Sequence, residues 1–193
     1  MAFVPFLLYV LVTSFTPGPN NFMAMSNASR YGFAGTLRFS LGVGAGFFVI
    51  VMLCSYFNLF LYSLIPTIQF VMSLLGSAYM IYLAVKIMRS KPGDPDGVPE
   101  SMNSFAAGAV LQFVNPKAIL YGITVTSTFI LPFYQSHLSL ILFALGLALV
   151  GILSTSSWAL FGSLFQRFLA GWQRSFNVLM GLLLIYSAAA IFM

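Results

Sequence analysis

Two proline breaks inside long apolar segments limit the architecture of this chain more than any other feature. Thr16-Pro17-Gly18-Pro19-Asn20-Asn21 lies between the apolar run that starts at Phe3 and ends at Phe15 and the run Phe22-Met23-Ala24-Met25. Each proline lacks a backbone donor and frees the carbonyl four residues earlier. Those carbonyls belong to Thr13 and Phe15 here, and Pro19 also biases Gly18 away from helix. A second break, Val114-Asn115-Pro116-Lys117, follows about a hundred residues later and frees the carbonyl of Gln112. At membrane depth a broken backbone persists only where protein or a water-filled cavity satisfies it. Two interrupted helices at matching places in two halves point to a transporter binding site.

Composition supports the membrane setting. Hydrophobic residues make up 60% and charged residues 6% of the chain, against about 25% charged in an ordinary soluble domain. Segments of about ten residues alternating apolar and polar, the mark of a membrane barrel, do not occur. The net charge of +5 would suggest nucleic acid in a soluble protein. Here it reads as loop charge between spans, with no nucleic-acid partner. The single cysteine, Cys54, excludes an internal disulfide framework and a cysteine metal cluster. No basic residues precede the first apolar run, so a cleavable signal is not expected.

At roughly 20 apolar residues per span, the sequence predicts an all-α membrane protein with six transmembrane helices. The spans are expected at about Ala2 to Ser26, Phe39 to Leu61, Pro66 to Met88, Phe105 to Leu131, Leu138 to Phe165 and Phe176 to Met193. Helices 1 and 4 are the broken ones. A short polar turn carries Arg30, Gly32, Gly35 and Arg38, and a basic turn covers Gln166 to Arg174. A polar loop from Arg89 to Ser104 holds all three acids, Asp94, Asp96 and Glu100. Gly42 and Gly46 have the small-xxx-small spacing of close helix contact. Seven of the eight basic residues fall in turns after spans one, three and five, which puts both termini outside. The expected organisation is one transporter domain, 1–193. It comprises a first repeat at about 1–88, a cytoplasmic loop at about 89–104 and a second repeat at about 105–193. Three spans on either side of the loop make the repeats inverted.

The broken backbone of Thr16, Pro17, Gly18 and Pro19 and its counterpart at Pro116 are the candidate substrate site. Asn20 and Asn21 are expected to cap the second half of span one, and Asn115 that of span four. Helix N-termini suit a carboxylate, and the freed carbonyls of Thr13, Phe15 and Gln112 suit an ammonium group. A zwitterion of amino-acid size uses both. Lys117 is the only basic residue deep in a span, with no acid in any span to pair with it. An uncompensated ammonium there is costly. Lys117 is therefore expected either to hold a substrate carboxylate or to carry the coupling proton. Tyr121 lies one turn later on the same face. The hydroxyl run Ser154, Thr155, Ser156 and Ser157 before Trp158 either bonds across helices or lines the cavity. With no acid in the spans, a neutral or zwitterionic solute is favoured over a cationic one.

Thr16-Pro17-Gly18-Pro19-Asn20-Asn21 and Phe113-Val114-Asn115-Pro116-Lys117, in this six-span context, resemble the signatures of the LysE/RhtB superfamily of bacterial amino-acid exporters. The stretches Leu111-Gln112-Phe113-Val114-Asn115, Ile119-Leu120-Tyr121-Gly122, Trp158-Ala159-Leu160 and Leu164-Phe165-Gln166-Arg167 are similar to its cysteine/O-acetylserine exporter branch. The resemblance implies multi-pass insertion in the bacterial inner membrane, efflux of a small neutral amino acid, and homodimers. It also implies coupling to the proton gradient with no bound cofactor. Exporters of threonine or homoserine type are the alternative, followed by a passive channel. A membrane enzyme or redox carrier would need paired cysteines, haem-ligand histidines or an intramembrane acid/base pair.

Overall fold

The computed structural model describes residues 3–89, 100–168 and 173–190; at 59–73, 166–168, 173, 187 and 190 the backbone alone is described. All regular structure among these residues is helical. The helices are α1 (Phe3–Phe15), α2 (Pro19–Tyr56), α3 (Asn58–Arg89), α4 (Phe105–Val114), α5 (Pro116–Val125), α6 (His137–Phe168) and α7 (Gln173–Ala190). A 3-10 turn, Glu100–Asn103, precedes α4, and a π turn, Thr126–Ile130, follows α5. Much of the polar loop, including Lys91, Asp94 and Asp96, lies outside the described residues, as does the centre of the turn from Gln166 to Arg174.

Both prolines-in-apolar-run motifs break the helix. The first separates α1 from α2, and the second separates α4 from α5 at Asn115. The expected polar turn after the first span sits inside α2. Gly32 adopts φ 74°, ψ 169° there and divides the helix into two arms, 19–31 and 33–56. A side chain is strained at that φ, so glycine is the residue that suits the hinge. The next turn lies earlier than expected: α2 ends at Tyr56, the Phe57 N–H bonds Leu53 O at 2.9 Å, and α3 begins at Asn58 and runs through Pro66. Hydropathy averages across a turn flanked by apolar residues on both sides, so it sets the boundary several residues late.

Small residues set the helix contacts. A Cβ on Gly42 would strike the backbone of Phe105, one on Gly46 would sit 2.5 Å from Ala109 O, and one on Gly108 would strike the backbone of Phe39. The second arm of α2 and α4 therefore pack backbone to backbone and run in the same direction. The first arm of α2 meets α6, where Gly162 lies against Met25. There Ser154 bonds Ser14 and Trp158 bonds Phe15, again with both chains running the same way. α3 and α7 pair antiparallel: Ser77 Oγ donates to Ala188 O at 3.0 Å, and Gly181 faces Met88. Asn103 Nδ2 donates to Gly35 O (3.0 Å) and Asn27 Nδ2 to Met102 O (3.3 Å), which clasps the turn before α4 onto the α2 hinge.

Large apolar side chains cover much of the surface, while several polar ones lie buried. Leu138, Leu142, Leu145, Leu149 and Leu153 form an exposed stripe along α6, and Val4, Leu8, Leu11 and Val12 do the same on α1. Asn21, Asn27, Gln112, Asn115 and Ser154 are buried. α2 and α6 are each long and apolar enough to cross a bilayer. Gly42→Leu or Gly108→Leu forces backbones apart and should destabilise the fold by about 1–3 kcal/mol, the usual cost of overpacking. Gly146→Ala meets nothing within 4 Å and serves as the neutral control, with thermal unfolding in detergent as the readout.

Candidate functional site

The two breaks meet. Asn20 Nδ2 donates to Gln112 Oε1 (2.8 Å) and Gln112 Nε2 donates back to Asn20 Oδ1 (3.1 Å), so the two amides pair reciprocally. Asn115 Nδ2 donates to the same Asn20 Oδ1 at 3.1 Å, and Gln112 Nε2 also reaches Gly108 O at 3.0 Å. Gln112 is 1% and Asn115 2% exposed. A buried amide left without partners costs about 1–3 kcal/mol, so these bonds fix how the first half of the chain sits on the second.

The caps differ between the breaks. Asn115 caps α5 as expected, its Oδ1 accepting from Lys117 N at 3.1 Å. Gly18, in extended conformation, is the N-cap of α2; Pro19 follows as its first residue, with no side-chain cap. Asn20 and Asn21 thus lie within the first turn instead of ahead of it, because the rigid proline ring is suited to that first helical position. Asn21 turns back and donates through Nδ2 to Ser14 O (3.0 Å) and Thr16 O (2.9 Å), bridging the broken ends.

The carbonyls freed by proline are also satisfied differently from expectation. Thr13 O accepts from Thr16 Oγ1 (3.2 Å), Phe15 O from Trp158 Nε1 (3.2 Å) and Gln112 O from the Asn115 amide (3.4 Å). The carbonyls that do face an ammonium belong to Thr16 and Pro17. Lys117 Nζ donates to Thr16 O (3.0 Å), Thr16 Oγ1 (3.0 Å) and Pro17 O (3.3 Å). The Lys117 stem lies over Gly18, where a Cβ would stand 3.2 Å from both Cδ and Nζ.

Between the breaks lies a cavity that is open at its mouth. Gly18, Pro19, Asn20, Asn21, Gln112, Asn115, Lys117 and Tyr121 line it. Thr16 and Pro17 are not among the lining residues; they connect to the cavity through their bonds to Lys117, which lines it. Pro116 points elsewhere, its ring packing near Gly76 of α3. The wall also includes Thr13, whose freed carbonyl the sequence had marked, Ser14, Val43, Phe47, Ala118 and Gly151, which it did not single out, and Ser154 and Thr155. Ser154 does both things open to it: it lines the cavity and bonds across helices to Ser14 O at 2.7 Å. Helical spacing from Ser154 back to Gly151 was the available signal for that face.

Tyr121 closes one end. Its ring stacks on Phe47 (4.9 Å) and meets Tyr9 edge-on (5.7 Å), and its hydroxyl accepts from Ser14 Oγ at 3.3 Å. Tyr9 stacks on Phe129, Phe129 contacts Phe6, Phe6 contacts Phe143, and Phe143 contacts Tyr134. This aromatic column fills the bundle between the cavity and the end that carries the start of α1 and the start of α6.

Asn20→Ala and Gln112→Ala should each lower stability by about 1–3 kcal/mol by stranding the other amide. The double variant should lose clearly less than the sum, with a coupling of at least about 0.5 kcal/mol. A double-mutant cycle by chemical denaturation reads this directly, and additive losses would show that the pair is uncoupled.

The family profile described as "LysE type translocator" matches residues 11–193. A protein named "Cysteine/O-acetylserine efflux protein" from Escherichia coli O139:H28 (strain E24377A / ETEC) is 41% identical over 187 residues, 97% of this chain and 95% of its own. Proteins of the same name from Escherichia coli (strain K12) and Shigella flexneri serotype 5b (strain 8401) are 40% identical over the same coverage. No solved structure matches.

Proposed function

Because this chain belongs to the LysE type translocator family, we propose that it is a secondary transporter, not an enzyme, that exports a small neutral amino acid through the cavity between its two breaks. The relatives' name points to cysteine or O-acetylserine as substrate. The single observation that carries the reading is the convergence of both breaks, with their amides and one ammonium, on one cavity. A zwitterion there meets acceptors on one side and N–H donors at the start of α2 on the other. The hydroxyls of Ser14, Ser154 and Thr155 and the ring of Tyr121 suit a short, weakly polar side chain.

The pattern of helix contacts supports an inverted repeat. Span one pairs with span five just as span four pairs with span two, each parallel, and span three pairs with span six antiparallel. Exchange of the halves leaves this list unchanged, as a two-fold axis in the membrane plane requires. On this reading there are six spans: α1 with the first arm of α2, the second arm of α2, α3, α4 with α5, α6 and α7. The chain is one transporter domain in the bacterial inner membrane with both termini outside. The aromatic column then seals the cavity from the outside, and rocking of one half against the other opens it. Proton antiport supplies the driving force.

In proteoliposomes, efflux of preloaded labelled O-acetylserine or cysteine should saturate, show counterflow and accelerate under an imposed pH gradient. Lys117→Ala should cut the rate by at least tenfold, a loss of about 1.4 kcal/mol or more in transition-state stabilisation. Folded protein that moves neither solute would overturn the substrate assignment, and non-saturable flux without counterflow would make the protein a channel. Topology has its own test in a Cys54→Ser background in cells. A membrane-impermeant maleimide should label Ser136→Cys from outside and leave Ser101→Cys untouched; the reverse pattern would invert the orientation.

A further inference from the structure

The partners of Lys117 form a complete receptor for an ammonium ion, and we infer that this is the substrate's own ammonium subsite, filled in this structure by Lys117 as a tethered surrogate. The inference rests on the proposed transport of an amino acid and specifies which atoms hold it. An ammonium group has three N–H donors and no acceptor. The rim of the first break presents it with three oxygens: Thr16 O and Thr16 Oγ1 at 3.0 Å and Pro17 O at 3.3 Å.

Each acceptor is held in place by something other than Lys117. The Thr16 hydroxyl spends its proton on Thr13 O, which leaves its lone pairs for a cation. Thr16 O is gripped by Asn21 Nδ2 at 2.9 Å, and a carbonyl has a second lone pair for the ammonium. Pro17 fixes its own backbone through the ring. The receptor belongs to the first half of the chain, whereas Lys117 reaches it from the second, 100 and 101 residues away in sequence. Gly18 matters here because the lysine stem passes over it, and a Cβ would crowd Cδ and Nζ.

Two ammonium groups cannot share three oxygens. An incoming amino acid must therefore displace Lys117, and the displaced ammonium then stands beside the carboxylate of the solute that displaced it. Charge is conserved in this exchange: the receptor swaps one ammonium for another, and Lys117 trades carbonyl partners for a carboxylate. An amine lacking a carboxylate can enter only by expelling Lys117 with nothing to receive it. The arrangement thus selects zwitterions over simple amines without any acid in the cavity.

The experiment compares three probes on purified protein in nanodiscs by calorimetric titration: O-acetylserine, its amine-only analogue 2-aminoethyl acetate, and its carboxylate-only analogue 3-acetoxypropanoate. In Lys117→Met the receptor is vacant, so 2-aminoethyl acetate should bind at least about tenfold tighter than to wild type, the value of one charge-assisted hydrogen bond or more. 3-Acetoxypropanoate should bind more weakly than to wild type. Lys117→Gln, which keeps a polar chain, guards against a folding failure and should show the same gain. Unchanged or weaker binding of the amine in both folded variants would overturn the inference and leave Lys117 a donor that merely ties the two breaks together. Binding of O-acetylserine to wild type is read separately and bears on the transport reading alone.

Discussion

A membrane leaves no water to satisfy a broken backbone, and the rest of this molecule follows from how two such breaks are satisfied. The first break strands oxygens at residues 13 to 17, and the chain answers with donors from three other elements. Asn21 returns from α2, Trp158 and Ser154 reach in from α6, and Lys117 crosses from α5. The second break is short and largely satisfies itself, since Asn115 both ends α4 and caps α5. Its surplus hydrogen-bonding capacity goes to Asn20. The first break thus draws part of its satisfaction from the second, through Lys117, which is a reason for the halves to pack in one register.

The glycines make that mutual satisfaction possible. Asn20 and Gln112 can exchange hydrogen bonds because the second arm of α2 lies nearly in backbone contact with α4, through Gly42, Gly46 and Gly108. Gly46 also stands next to Gln112 Cγ, 2.8 Å from the position a Cβ would take, so the same glycine that admits the neighbouring helix makes room for the amide. Gly162 does the corresponding work where α6 meets the first arm of α2, one turn beyond Trp158. In a bilayer, where apolar burial offers little preference for one helix partner over another, such close approaches are the main source of specific packing.

Much of this was legible in the sequence because membrane depth makes local irregularity informative. The breaks, the Asn115 cap, the close packing at Gly42 and Gly46 and the all-helical class each rest on a rule that the apolar setting enforces strictly. What was not legible depends on three-dimensional proximity. Asn20 and Asn21 read as caps because they precede a helix, but Pro19 takes the first helical position and leaves Gly18 as cap, freeing both asparagines for long-range bonds. The carbonyls opposite Pro17, Pro19 and Pro116 read as ligand acceptors by counting four residues back. That count identifies which carbonyl loses a helix partner and is silent on which donor replaces it. The turn at Phe57 was misplaced because neither hydropathy nor composition changes there.

The asymmetry between the breaks bears on mechanism more than their symmetry does. Pseudo-symmetric halves that offered identical groups would bind a solute equally well on either side and would not need it to bridge them. Here the first break supplies oxygens from Thr16 and Pro17 while the second supplies an ammonium from Lys117. A solute carrying both an ammonium and a carboxylate complements both halves at once, and one carrying a single charge complements only one. In this structure the two halves complement each other through Lys117, so on the proposed reading the bridge that a zwitterion would replace already exists. On that reading, binding rewires the contact between halves instead of adding to it. That rewiring is what a transporter requires if occupancy of its cavity is to change the balance between the arrangements of its two halves.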